Sequence, residues 1–120
     1  MTPYSTRTRR LPAPPHVVWD DLVSPAQTGS RVWLNLVADE IRPRVLECER
    51  PCSVVWSSLW RSRPDDRIVF GLAEVPVSQD TALTFTLLTP SDVPDEDDAR
   101  LLRKRISRLI FAELRFSYGQ

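Results

Sequence analysis

The C-terminal stretch DEDDARLLRKRISRLIFAELRFSYG, residues 95–119, decides the fold. Leu102, Ile106, Leu109, Ile110 and Glu113 recur at i, i+4, i+7, i+8 and i+11, the period of one helix face. The acids Asp95, Glu96, Asp97 and Asp98 open the pattern and arginine fills its body, an order that complements the helix dipole. The spacing predicts a long amphipathic helix from Glu96 to about Tyr118, entered through the acidic, proline-containing linker Pro90–Asp98. A helix with one apolar stripe needs an apolar surface to lie on.

The preceding residues supply that surface. Ile68, Phe70 and Leu72 alternate with Val69, Gly71 and Ala73, while Leu83, Phe85 and Leu87 alternate with Thr84, Thr86 and Leu88. Trp56 and Trp60 share strand parity with Val54. Large residues at every second position predict strands with a common apolar, concave face. The strands are expected at Arg44–Glu49, Ser53–Trp60, Arg67–Val75 and Ala82–Leu88. Arg50-Pro51-Cys52 makes a hairpin of the first two, because proline cannot continue a central ladder. Turn clusters at Arg61–Asp66 and Ser78–Asp80 separate the others. Val32–Val37 also fits a strand, although its pattern equally allows a helical turn.

Nearer the N-terminus, Tyr4–Leu11 reads as an opening strand stopped by Pro12-Ala13-Pro14-Pro15. Prolines before an apolar run suit a helix start, and Val18, Trp19, Leu22 and Val23 then share one side of a short helix over His16–Val23. Ser24-Pro25 ends it, and Gln27–Arg31 is a loop with Gly29 as its flexible point. The order is α+β, with about six antiparallel strands in a meander and no βαβ unit.

Composition bounds the function classes. The 120 residues fit one domain, 1–120, with 16 basic groups balanced by 16 acidic ones. A net charge of zero gives no support to a nucleic-acid partner. No apolar run approaches the ~20 residues that span a bilayer, and the polar opening Met1-Thr2-Pro3-Tyr4-Ser5 has no signal region behind it. The expectation is a cytoplasmic protein without membrane insertion, a monomer or a homodimer. Lys104 is the only lysine among the 16 basic residues, a bias that reflects the base composition of a GC-rich, bacterial genome more than site chemistry.

A curved antiparallel sheet wrapped around a long final helix resembles the helix-grip superfamily of START-like lipid-binding domains, polyketide cyclases and pathogenesis-related plant allergens. The resemblance rests on Thr8-Arg9-Arg10-Leu11-Pro12-Ala13-Pro14, Val17-Val18-Trp19-Asp20-Asp21-Leu22, Arg50-Pro51-Cys52-Ser53-Val54-Val55-Trp56 and the closing helix. It covers the whole chain, and none of these motifs is catalytic. The family usually has seven strands where about six are read here. The resemblance implies an apolar cavity between sheet and helix, correspondingly small, lined from Trp19, Trp56, Trp60, Phe70, Leu72, Phe85, Leu87, Leu102, Ile106, Leu109, Ile110 and Glu113.

Residues able to carry chemistry are sparse. His16, the single histidine, opens the first helix with no nucleophile motif beside it. Ser57-Ser58 lacks a nucleophile elbow. Cys48 and Cys52 have three residues between them, not the two of a redox motif, and read as reduced and packed. With two cysteines and one histidine, neither a zinc site nor a cofactor is expected. Glu47 and Glu49 share a strand face and are expected to meet solvent, with Leu46 and Cys48 turned inward. Glu113 on the apolar helix face is either at the rim, paired with an arginine, or a polar anchor in a pocket. The basic series Arg100, Arg103, Lys104, Arg105 and Arg108 reads as a solvated helix face.

Three functions fit these residues. The leading one is a binding protein that holds a small hydrophobic molecule between sheet and helix with no chemical step. The second, by resemblance to aromatase/cyclases, is an enzyme using Glu113, Ser58 and an arginine. The third is an interaction protein with a filled core, docking a partner through an exposed Trp33 or Trp60.

Overall fold

The computed structural model describes residues 1–25 and 33–119. The loop read at Gln27–Arg31, and Val32, lie outside the described residues. The elements are β1 (Thr2–Leu11), α1 (Pro15–Val23), β2 (Val45–Glu49), β3 (Ser53–Ser57), β4 (Arg67–Glu74), β5 (Thr81–Thr89) and α2 (Glu96–Arg108). The last helix continues through a π-helical stretch (Leu109–Leu114) and a closing α-turn (Arg115–Ser117).

The strands form one antiparallel sheet in the order β1-β5-β4-β3-β2. Strands β2 to β5 are the meander that short turns predict, and β1 pairs with β5 at the far edge. The sheet has five strands, not about six. Residues 33–37 have no regular structure, and Trp33 and Leu34 are buried side by side instead of alternating. A run that buries consecutive residues cannot lie as a strand on a one-sided sheet.

One face of the sheet is apolar and covered. Val54, Trp56, Ile68, Phe70, Leu83, Phe85 and Leu87 are all buried there. The opposite face carries threonines, with the Thr6–Thr86 and Thr8–Thr84 hydroxyls 3.2 and 2.6 Å apart across the β1–β5 pair. At the β2 edge the cover runs out. Leu46 and Cys48 are exposed rather than turned inward, and both cysteines are free and exposed rather than packed.

Local chemistry sets both helices. Pro15 occupies the first turn of α1, where its missing N–H costs nothing, and the Ser24 N–H donates to the Asp20 carbonyl at the end. Asp95 caps α2 by accepting the Asp98 N–H at 2.8 Å, with Glu96, Asp97 and Asp98 in the first turn. The π-helical stretch resets the register. A 3.6-residue period continued from Ile106 puts Glu113 on the apolar face. Widening the turns toward i→i+5 bonding brings Leu114 into that place, and Leu114 is fully buried while Glu113 is half-buried at the rim. Among the described residues no helix is long and apolar enough to cross a membrane.

Ile106, Leu109, Ile110 and Leu114 are fully buried by the sheet, each contributing roughly 1.5–3 kcal/mol against a total stability of about 5–15. A chain truncated after Pro94 is therefore expected to be unfolded or to aggregate. A soluble fragment with a cooperative melt would show that the sheet closes without its helix.

Candidate functional site

The interior between sheet and helix is built from cross-strand rows. Trp56 pairs with Ile68 and Ile68 with Leu87; Val54 pairs with Phe70 and Phe70 with Phe85; Leu72 pairs with Leu83. The Trp56 ring meets Phe70 edge-on, with centroids 4.7 Å apart, and stacks on Trp33 at 6.1 Å. On the helix side the Phe111 ring lies 5.9 Å from Phe85. The Trp56 indole N–H donates to the Leu22 carbonyl at 2.8 Å. Among the described residues the Trp33 indole N–H, which is buried, has no acceptor. Such a donor costs roughly 1–3 kcal/mol where it stands.

The segment that carries Trp33 has no regular structure and is held to the helix by an ion pair. Arg105 of α2 donates from Nε to Glu40 Oε2 and from Nη2 to Glu40 Oε1, both at 2.7 Å, and from Nη2 to the Asn35 carbonyl at 2.8 Å. The Val37 N–H donates to the same carboxylate at 3.0 Å. Glu40 also bridges to Trp60, just past β3. Burial pushes the Glu40 carboxyl up, but the Arg105 hydrogen bonds, the Val37 N–H and the Arg105 charge outweigh it and hold the group below the usual carboxylate range. The clamp fixes residues 33–40 against the helix and presses Trp33 and Leu34 into the interior.

No protein-family model and no curated protein matches the sequence. Solved structures do. The solution structure of the Aha1 dimer from Colwellia psychrerythraea is similar over 94% of both chains, with a TM-score of 0.59 and 15% identity. The crystal structure of CalU16 from Micromonospora echinospora matches 72% of this chain with a TM-score of 0.50 and 20% identity. This chain spans 60% of CalU16. The fold is the helix grip. At these identities the likeness is one of architecture.

Of the twelve residues read as lining the grip, nine come together. Trp56, Trp60, Phe70, Leu72, Phe85, Leu87, Ile106, Leu109 and Ile110 are all buried in one cluster. The other three are peripheral. Trp19 donates its indole N–H to the Ser53 carbonyl at 3.0 Å and lies under the Arg50 guanidinium, tying α1 to the β2–β3 hairpin. Trp60, at the edge of the cluster, also lines a surface notch with Val37, Glu40 and Arg61. Leu102 lines another with Arg63, Pro94 and Leu101. Glu113 accepts from the Asn35 amide at 3.2 Å.

Trp33 and Trp60 are 1% and 9% exposed, so neither is the free docking side chain considered for an interaction protein. The residues weighed for catalysis do not converge on the interior. His16 is exposed, and the Ser58 hydroxyl is engaged with the Trp60 backbone at 3.0 and 3.3 Å. Sequence reasoning missed Trp33, Asn35, Glu40 and Arg105 as one unit. The available signal was three polar or acidic residues around an apolar run, which has no period.

The Glu40–Arg105 pair is expected to be the acid-sensitive joint of the grip. Glu40 has a lowered folded pKa, so its contribution is complete above the unfolded carboxylate value near 4.3 and is lost as pH falls through the folded one. The side chains are 5% and 18% exposed. Glu40→Ala should thus cost roughly 1–3 kcal/mol at pH 7, between the ranges for exposed and fully buried pairs. Denaturant melts at pH 7 and pH 3 should show the parent and variant converging in acid. A variant deficit that persists unchanged at pH 3 would assign the loss to packing.

Proposed function

We propose that the protein is a binding protein for a small, neutral hydrophobic molecule carrying one hydrogen-bond acceptor, held between sheet and C-terminal helix with no chemical step. The observation that carries this is the buried, unpartnered Trp33 N–H set in an apolar, aromatic surround. Buried donors are otherwise paired, and a ligand carbonyl or ether beside Trp33 would supply the acceptor. Trp56, Phe70, Phe85, Ile106 and Ile110 offer the apolar contacts, and aromatic faces hold flat ligands well. Trp33 is enclosed, so a ligand enters by displacing residues 33–40, which lie outside the sheet's five named strands and are held by the Arg105 clamp.

The neutral dye Nile red, which carries a carbonyl, tests the reading by fluorescence titration. Saturable binding by the parent is expected, with Trp33→Phe weakening it about fivefold to tenfold, the worth of one hydrogen bond near 1 kcal/mol. Ile106→Trp should fill the space and abolish dye binding with little change in melting temperature. In a filled core the same substitution overpacks and costs roughly 1–3 kcal/mol. A strongly lowered melt, with no dye binding by the parent, would overturn the proposal. Native mass spectrometry of freshly purified protein is expected to show a co-purifying ligand.

A further inference from the structure

The apolar rows of the sheet end at β1 in charge. Phe85 pairs with Arg7 and Leu83 with Arg9, so both arginines stand on the covered face, beside the C-terminal helix. The helix meets them with more cations. Arg7, Arg9, Lys104 and Arg108 line one groove of about 470 Å³, together with Ser107, Phe111, Ala112 and Glu113. Arg103 lies next to it, donating to the Ser5 hydroxyl at 3.0 Å, and Arg7 donates to the Ser107 hydroxyl at 3.2 Å. These are neutral acceptors. Among the described residues none of the five cations is in an ion pair, whereas Arg10, Arg50, Arg63, Arg100 and Arg105 each have a carboxylate.

Like charges facing each other across a seam disfavour it, and the chain has one carboxylate for every cation, 16 of each, with which such a seam could be balanced. Glu113, the one carboxylate in the groove, already accepts from Asn35. We propose that the groove between β1 and the C-terminal helix binds a soluble organic diphosphate, with Arg7, Arg9, Lys104 and Arg108 as its charge contacts. Four cations against one carboxylate leave three positive charges, which match the charge of a diphosphate monoester near neutral pH. Guanidinium forks suit phosphate oxygens, and the Ser107 hydroxyl adds a donor. The Phe111 ring at the groove wall offers the organic part a face to lie on. The proposal does not depend on the neutral ligand between sheet and helix.

Inorganic pyrophosphate is the probe, titrated calorimetrically into the whole chain at low salt. One saturable site is expected, weakened at least tenfold in Lys104→Gln/Arg108→Gln and unchanged in Arg61→Gln, an exposed arginine at a different notch. Pyrophosphate should also raise the melting temperature more than sodium chloride of equal ionic strength. Without anion, Arg9→Gln and Lys104→Gln should each melt at or above the parent temperature, because each relieves repulsion. Absence of a saturable site, equal weakening in Arg61→Gln, or stabilisation matched by sodium chloride would each overturn the proposal. So would a lowered melting temperature in both single variants, since the repulsion it rests on would then be absent.

Discussion

Burial of the sheet's one apolar face under the C-terminal helix is the constraint on which everything else in the structure depends. Five strands in a single layer expose a continuous surface of aromatic and branched side chains on one side and threonines on the other. Only a long amphipathic element can cover such a face, and the chain supplies one, 22 residues from Glu96 to Ser117. Once the helix lies there, the remaining pieces close the open ends. Helix α1 fills one with Val18 and Leu22, and residues 33–40 fill another with Trp33 and Leu34. Polar contacts then fix the fit. The Tyr118 hydroxyl donates to Asp21 at 2.6 Å, holding the last turn to α1, and Arg105 holds the segment that carries Trp33.

Much of this was legible because it is periodic. The strict alternation of Leu83, Phe85 and Leu87 with Thr84, Thr86 and Leu88 appears in the structure as alternating buried and half-buried positions along β5. The helix stripe at Leu102, Ile106, Leu109 and Ile110 is likewise a pattern that sequence displays directly. What stayed hidden has no period. The ion pair between Glu40 and Arg105 joins residues 65 apart, one on a segment without regular structure, so nothing local marks it. Glu113 could be read as a rim residue or as a pocket residue for a subtler reason. Its spacing was right for an α-helix, but the helix widens at Leu109, and Leu114 takes the buried place. The exposed Cys48 and Leu46 show a third kind of failure. Strand alternation assigns a face, but whether anything covers that face at a sheet edge is decided by distant elements.

Local rules and global fold agree through most of the molecule, which gives weight to the two places where they do not. The first is the Trp33 N–H, a buried donor with no acceptor among the described residues, beside a second tryptophan whose N–H is satisfied by Leu22. The two indoles are stacked, so the difference is not one of depth. It arises because Trp56 reaches a helix-end carbonyl, whereas no acceptor among the described residues comes within reach of the Trp33 donor.

The second place is the cationic seam, and the helix itself supplies the comparison. Lys104 and Arg105 are adjacent in sequence. Arg105 meets the 33–40 segment, which offers Glu40 and a backbone carbonyl, and becomes one of the most firmly fixed side chains in the protein. Lys104, one residue earlier, looks toward β1, which offers Arg7 and Arg9. A surface selected only for stability would place an acid on one side of that seam, as it does at Arg10–Asp80 on the same strand. Arg7, half-buried, and Arg9, exposed, sit at the ends of apolar rows, in register with Phe85 and Leu83. Their presence at both positions, in one groove with two further cations, leaves positive charge that a bound multivalent anion would balance.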